Sequence, residues 1–281
     1  MNVKTLSYKS PGAAQSFEKS LRETGFAVIT DHPISTALIE DTYSEWKAFF
    51  ASPAKHDYTF KPELQAGYFP FRTENAKDSP VKDLKEFYHY YPDRAALPSQ
   101  TQKFTPALFA QLSKLGAELL SWLEAATTNE VRNRLPMRLS EMIVDSEETL
   151  LRILHYPPLS GSEEDGAIRA AAHEDINLIT LLPAATAPGL EVKDLAGNWH
   201  SVECHPGMIV INAGDMLQQV TRGFYPSTTH RVVNPSGSVA KEARFSMPLF
   251  LHPRRIAPLG EHLTAGQYLT ERLREIGLLK K

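Results

Sequence analysis

From residue 150 onward the chain breaks into six short apolar or β-branched runs, at 150–154, 178–182, 189–192, 208–211, 228–233 and 244–251, with Gly, Pro and Asn between them. No helical pattern of 10–15 residues separates consecutive runs, so they cannot form the crossovers that parallel strands need. Antiparallel pairing is what remains, and this half is expected to be an all-β sandwich or jelly roll. The first half reads differently. Ala14, Phe17 and Leu21 recur at helical spacing over residues 13–24, with Gly25 placed to cap the helix. A short buried strand at 26–30 follows, then a helix from Ser35 or Thr36 to about residue 50. Residues 52–100 read as a winding segment with short strands near 67–70 and 87–90. Leu108, Leu112, Leu115, Leu119, Leu120 and Leu123 form one stripe over 106–126, and helix is expected to continue to about 144 with a break at Pro136. A last helix over 264–276 turns Tyr268, Leu269 and Leu273 inward and stops at Gly277. The expected fold class is therefore mainly β with flanking helices.

Charge and cysteine content narrow the function. The 30 basic and 33 acidic residues are interspersed, which leaves no basic stripe for nucleic acid and favours a small-molecule substrate. Apolar runs are far too short to span a membrane and the first residues lack the apolar core of a signal peptide, so a cytoplasmic protein is expected. One cysteine, Cys204, permits neither an internal disulfide nor a cysteine-only zinc site. Any metal must then be held by histidine and carboxylate. Nothing in the pattern sets an oligomeric state.

His173-Glu174-Asp175 is the first candidate. On a strand, His173 and Asp175 would share a face and Glu174 would point away. With 10 His and 33 acidic residues such a tripeptide arises about once by chance, so it carries little alone. His230 adds to it, because it lies in Thr228-Thr229-His230-Arg231-Val232-Val233, a β-branched run that reads as another strand of the same barrel. Two His and one carboxylate occupy one face of an octahedron and leave three positions open, which suits Fe(II) oxygen chemistry. A structural zinc would want a closed tetrahedron. The plainer alternative is that both histidines are hydrogen-bonded structural residues.

The order of motifs over residues 151–253 resembles the isopenicillin N synthase-like, 2-oxoglutarate-dependent oxygenases. It runs Leu151-Arg152-Ile153-Leu154-His155-Tyr156-Pro157-Pro158, His173-x-Asp175, Gly189-Leu190-Glu191-Val192, Asn212-Ala213-Gly214-Asp215, 227–233 and Arg244-Phe245-Ser246. Gly25-Phe26, His32-Pro33 and Asp83-Leu84-Lys85-Glu86-Phe87 extend the resemblance into the first half. It implies a double-stranded β-helix core of jelly-roll, cupin-like type, with Fe(II) on His173, Asp175 and His230. It also implies 2-oxoglutarate as co-substrate, its far carboxylate on Arg244 and Ser246 and its binding assisted by Tyr156. A guanidinium fork suits a carboxylate better than an ammonium would. Arg138-Leu139-Ser140 is also Arg-x-Ser, but in a helical region ahead of the triad. Leu154 and His155 stand where many relatives carry Asn and Tyr, which bears on the detail of co-substrate binding and not on iron.

On this reading the chain is one domain over 1–281, with an N-terminal dioxygenase-like region at 1–100, a helical segment at 101–147, the oxygenase core at 148–254 and a C-terminal helix at 255–281. It would use O2 and 2-oxoglutarate to oxidise, most simply to hydroxylate, a small molecule, releasing succinate and CO2. Substrate contacts are expected from residues 66–91, with Arg72 clamping a carboxylate and Tyr68, Phe69, Tyr88 and Tyr90 forming an apolar wall. Gly214 and Asp215 are read as turn residues, and His155, His200 and His205 as structural or surface groups. Three alternatives stay open: a 2-oxoglutarate-independent Fe(II) oxidase on the same scaffold, a non-catalytic jelly-roll binding protein, and a zinc hydrolase.

Overall fold

A computed structural model of the protein describes residues 1–74 and 81–279. Its strands are β1 (Lys4–Ser7), β2 (Phe26–Thr30), β3 (Gly67–Phe69), β4 (Glu86–Tyr90), β5 (Leu150–Tyr156), β6 (Ala170–His173), β7 (Ile179–Pro183), β8 (Leu190–Lys193), β9 (Trp199–Ser201), β10 (Ile209–Ala213), β11 (His230–Val232), β12 (Arg244–Ser246) and β13 (Leu249–Leu251). Its α-helices are α1 (Ala13–Thr24), α2 (Thr36–Ala51), α3 (Thr105–Ala126), α4 (Asn129–Arg132), α5 (Leu139–Met142), α6 (Asp215–Val220) and α7 (Ala265–Glu275).

The larger sheet has the order β1-β2-β10-β7-β13-β5-β4-β3, with β12 also on β5, and among the described strands only β1–β2 is a parallel pair. The smaller sheet runs β6-β11-β8-β9. Both sheets are open, so the layers face one another without closing into a barrel. Two apolar patches glue them together: Phe69, Phe87, Leu154 and Tyr156 meet Ala170 and Val232, and Phe26, Val28 and Val210 meet Leu190 and Val192.

The opposite face of the larger sheet is covered by helices. All six leucines of the α3 stripe are buried there, at about 1.5–3 kcal/mol of transfer free energy each. Close approach of α3 to β13 and β7 explains Gly116, whose added Cβ would lie 2.7 Å from Leu251 and 3.1 Å from Leu181. Gly25 ends α1 in the left-handed region at φ 72° and donates to the Leu21 carbonyl.

Local differences from the sequence reading have local causes. Residues 244–251 form two strands, because Pro248 has no N–H for the ladder. Helix beyond 126 survives only as α4 and α5, either side of Pro136. β1, β6 and β9 are three or four residues long and were unmarked by any alternation; β6 is Ala-Ala-Ala-His, a composition without strand preference. Asp215 opens α6 where a turn was expected. Among the described residues, no helix is long and apolar enough to cross a membrane.

Candidate metal centre

Antiparallel pairing of β6 with β11 sets His173 directly opposite His230, with their ring centroids 4.4 Å apart. Asp175 comes in differently. It lies two residues beyond the end of β6, so strand alternation does not deliver it. The turn after β6 does: Asp215 N–H donates to the Asp175 carbonyl at 2.7 Å, and Gly214 packs so tightly that a Cβ there would sit 2.3 Å from the Asn177 carbonyl oxygen.

Every other polar atom of the three side chains is tied back. Asp175 Oδ2 accepts from Thr180 Oγ1 at 2.6 Å and from Asn212 Nδ2 at 2.8 Å. His173 Nδ1 meets the Ala171 carbonyl at 2.7 Å and His230 Nδ1 the Thr228 carbonyl at 3.1 Å. Carbonyls accept only, so each Nδ1 carries a proton, and Nε2 is the nitrogen left to face a ligand. What remains free converges: Asp175 Oδ1 is 3.9 Å from His173 Nε2 and 3.8 Å from His230 Nε2, and the three candidate ligand atoms lie within 4.8 Å of one another. Two imidazole Nε2 atoms and one carboxylate oxygen, oriented by hydrogen bonds behind them, make a donor set that fits a divalent transition metal.

Electrostatics agree with a ligand state. Enclosure in the cleft, with the His230 ring alongside, lowers His173 to about 4, although its edge still reaches the cavity. Burial opposes the charge on Asp175, but His230, His173 and the Asn212 and Thr180 hydrogen bonds outweigh it and hold the carboxyl below its ordinary range. Both groups are thus deprotonated at neutral pH.

On the larger sheet, β12 pairs with β5 so that Arg244 faces Tyr156 and Ser246 faces Leu154. Arg244 is 2% exposed, its Nε donates to the Ala187 carbonyl at 2.9 Å, and its Nη1 has no partner among the described residues. The guanidinium carbon lies 5.1 Å from the Tyr156 ring centroid. A buried cation with an unspent donor is a fitting seat for a carboxylate. A second arginine, Arg169, was missed in the sequence; it is fully buried and its guanidinium lies 6.0 Å from the same ring. A lone cation inside Ala167-Ile168-Arg169-Ala170-Ala171-Ala172 was the signal available.

His173 and Asp175 open on a cavity of about 980 Å³ whose lining also includes Lys85, His89, Arg152 and His252. Lys85 is buried between Glu74 at 2.9 Å and Asp83 at 2.8 Å; burial pulls its ammonium down, but those carboxylates outweigh it and hold it above its ordinary value. Asp83 also accepts from Ala171 N–H at 3.0 Å, which ties the network to β6. His252 repeats the arrangement of the two candidate ligands, with Nδ1 on the Phe250 carbonyl at 3.2 Å. Alternation from Arg244 and Ser246 through Phe250 would have found it.

The expected substrate wall needs correction. Arg72 sits at the surface and pairs with Glu164 at 2.6 Å, outside the cavity lining. Tyr68, Tyr88 and Tyr90 face the helices: Tyr68 donates to buried Glu86, Tyr88 packs on Trp46, and Tyr90 on Phe109. Alternation along β4 sends His89, with Tyr91 just beyond, to the cavity instead. Phe69 stacks on Phe87 between the sheets. Residues 75–80 of the expected span lie outside the described residues. Glu174 is at the cavity rim and accepts from Thr229. His155 bonds Glu86 at 2.7 Å, His200 bonds Asp194 at 2.7 Å and His205 is exposed.

Comparison with known proteins gives one consistent picture. Residues 147–253 match the model of the 2OG-Fe(II) oxygenase superfamily, and residues 5–110 match that of the non-haem dioxygenase in morphine synthesis N-terminal region. A 2-oxoglutarate-Fe(II) type oxidoreductase from Aspergillus fumigatus is 30% identical over 80% of this chain and 72% of its own. A candidate oxygenase from Shewanella oneidensis, known from its crystal structure, is 48% identical, with a TM-score of 0.89 over 99% of this chain and 100% of that one. In fold alone, the chain also resembles a full-length Neurospora crassa protein crystallised in complex with alpha-KG and thymine, at 22% identity and a TM-score of 0.81 over 97% and 96% of the two chains.

Proposed function

Since the chain belongs to the 2OG-Fe(II) oxygenase superfamily, we propose that His173, Asp175 and His230 hold its Fe(II) and that Arg244, Ser246 and Tyr156 receive 2-oxoglutarate. The protein is a 2-oxoglutarate- and Fe(II)-dependent oxygenase of small molecules. The observation that carries the residue assignment is the convergence of two imidazole Nε2 atoms and Asp175 Oδ1, with every other polar atom of those side chains already bonded. When bound, iron and 2-oxoglutarate supply with O2 the oxidising power for substrate C–H bonds, with succinate and CO2 released.

The chain's own residues prepare that chemistry. The Ala171 and Thr228 carbonyls take the Nδ1 hydrogen bonds of both imidazoles and leave Nε2 of each to the metal. Thr180 and Asn212 occupy Asp175 Oδ2 and leave one oxygen for the ion. The buried guanidinium of Arg244 anchors the far end of the co-substrate, fixing where its keto acid end reaches the iron. Lined by Lys85, Arg152, His89 and His252, the cavity is suited to a small molecule bearing hydrogen-bonding groups, and its volume falls within the range of ligand sites.

We read all 281 residues as one domain, with a dioxygenase-like region at 1–100, a helical segment at 101–147, the core at 148–254 and a C-terminal helix at 255–281; in support, β1–β4 and β5 share one sheet. The cytoplasm is the proposed compartment, in keeping with the single free cysteine, Cys204. The test is a substrate-library screen reading succinate with Fe(II), ascorbate and 2-oxoglutarate. A substrate-dependent rise that is lost in His230→Ala is expected. Succinate release that is unaffected by that substitution would overturn the assignment.

A further inference from the structure

Two buried arginines flank one tyrosine ring, and neither forms an ion pair with a carboxylate among the described residues. Each is pinned by a single backbone carbonyl: Arg169 Nη2 to Glu242 at 2.9 Å, and Arg244 Nε to Ala187 at 2.9 Å. The remaining buried guanidinium atoms are left without acceptors: Nε and Nη1 of Arg169 and Nη1 of Arg244. Water cannot reach these atoms, so each unspent donor carries a desolvation penalty, and two like charges share one dry compartment. Burial, with Arg244 next to it, lowers Arg169 below its ordinary value, as expected for a site short of negative charge. One carboxylate offers two oxygens with about four lone-pair positions, so it can accept from both arginines at once.

We propose that Arg169 is a second positioning residue for the co-substrate, receiving together with Arg244 the far carboxylate of 2-oxoglutarate. Arg169 precedes β6, the strand that carries His173, while Arg244 lies on β12 of the larger sheet. A dicarboxylate held by both would therefore bridge the two sheets. The consequence is selectivity: a keto acid without the second carboxylate leaves both guanidinium groups uncompensated. The inference rests on the assignment of Arg244 to that carboxylate, and the test separates the two.

The experiment titrates Mn(II)-loaded protein, without turnover, with 2-oxoglutarate and with 2-oxobutanoate, which has the same keto acid end and no far carboxylate. Binding is read calorimetrically in wild type, Arg169→Met, Arg169→Lys and Arg244→Met. Loss of charge-assisted hydrogen bonds should raise the Kd for 2-oxoglutarate in Arg169→Met by roughly ten- to a hundredfold. 2-Oxobutanoate should change by less than about twofold, and Arg169→Lys should fall between, since it keeps charge but not the fork. Ligand-free Arg169→Met should melt no lower than wild type, because the change removes an uncompensated buried charge. If Arg169→Met fails to fold, the selectivity ratio of Arg169→Lys decides. An unchanged Kd for 2-oxoglutarate, or equal weakening of both ligands, overturns the proposal. Wild type that fails to prefer 2-oxoglutarate, or Arg244→Met that keeps the preference, overturns the underlying assignment instead.

Discussion

Replacing Thr180 with valine tests how the proposed carboxylate ligand, Asp175, is aimed. Thr180 Oγ1 gives Asp175 Oδ2 the shorter of its two hydrogen bonds, 2.6 Å against 2.8 Å from Asn212, and both lie in the buried wall behind the trio. Valine keeps the shape and the strand preference of threonine on β7, so the substitution removes that bond and the acceptor that Asn177 Nδ2 uses at 3.0 Å. A buried hydrogen bond to a charged group contributes about 1.5–3 kcal/mol. If that energy goes into holding Oδ1 toward the two Nε2 atoms, metal binding should weaken by roughly ten- to a hundredfold, the range found when a ligand's supporting partner is removed. Competitive Mn(II) binding followed by electron paramagnetic resonance measures it, with thermal melting as the control for folding. Unchanged affinity in Thr180→Val, alongside complete loss in Asp175→Ala, would show that the bond behind the carboxylate does not ready it for metal.

Two further expectations concern the cavity. Burial lowers His252 to about 4 from 6.5, so the unfolded chain takes up a proton near pH 6.5 that the folded chain refuses until about pH 4. Stability is therefore full above pH 6.5 and falls on acidification between 6.5 and 4; His252→Asn should flatten that slope in urea unfolding at a series of pH values, and an unaltered slope would contradict it. Among the described residues, Lys85→Met leaves Asp83 without an ion-pair partner and Glu74 with Arg152, at 3.3 Å. Removing one member of a buried ion network costs about 3–5 kcal/mol, so a clear fall in the chemical unfolding midpoint is expected, and a change within about 0.5 kcal/mol would contradict it.

Where periodicity was long and strong, the sequence foretold structure closely: α1, α2, α3 and α7 occupy the expected segments, down to Gly25 and Gly277 at the C-terminal ends of α1 and α7. Short strands were legible where β-branched residues marked them, as in β2, β10 and β11, and hidden where composition was neutral, as in β6. Strand alternation was expected to bring Asp175 alongside His173, but a turn held by Gly214 and Asp215 delivers it. The same alternation misled on β4, because its register sends Tyr88 to the helices and His89 to the cavity, and nothing local says which face is which. Arg72 looked free as a sequence position, but Glu164, 92 residues away, holds it at the surface. Long-range pairing of this kind has no local trace. Arg169 went unnoticed for the opposite reason: an isolated arginine reads as exposed until the fold buries it.

Anaerobic titration of the Fe(II) protein with 2-oxoglutarate tests the central assignment most directly. Chelation of the co-substrate's keto acid end by iron on His173, Asp175 and His230 predicts a weak charge-transfer absorption in the visible that saturates with one equivalent. It should be absent in His230→Ala and should appear only at higher 2-oxoglutarate concentration in Arg244→Met. Absorption that persists in His230→Ala, or its absence from wild-type protein that has bound iron, would contradict the account.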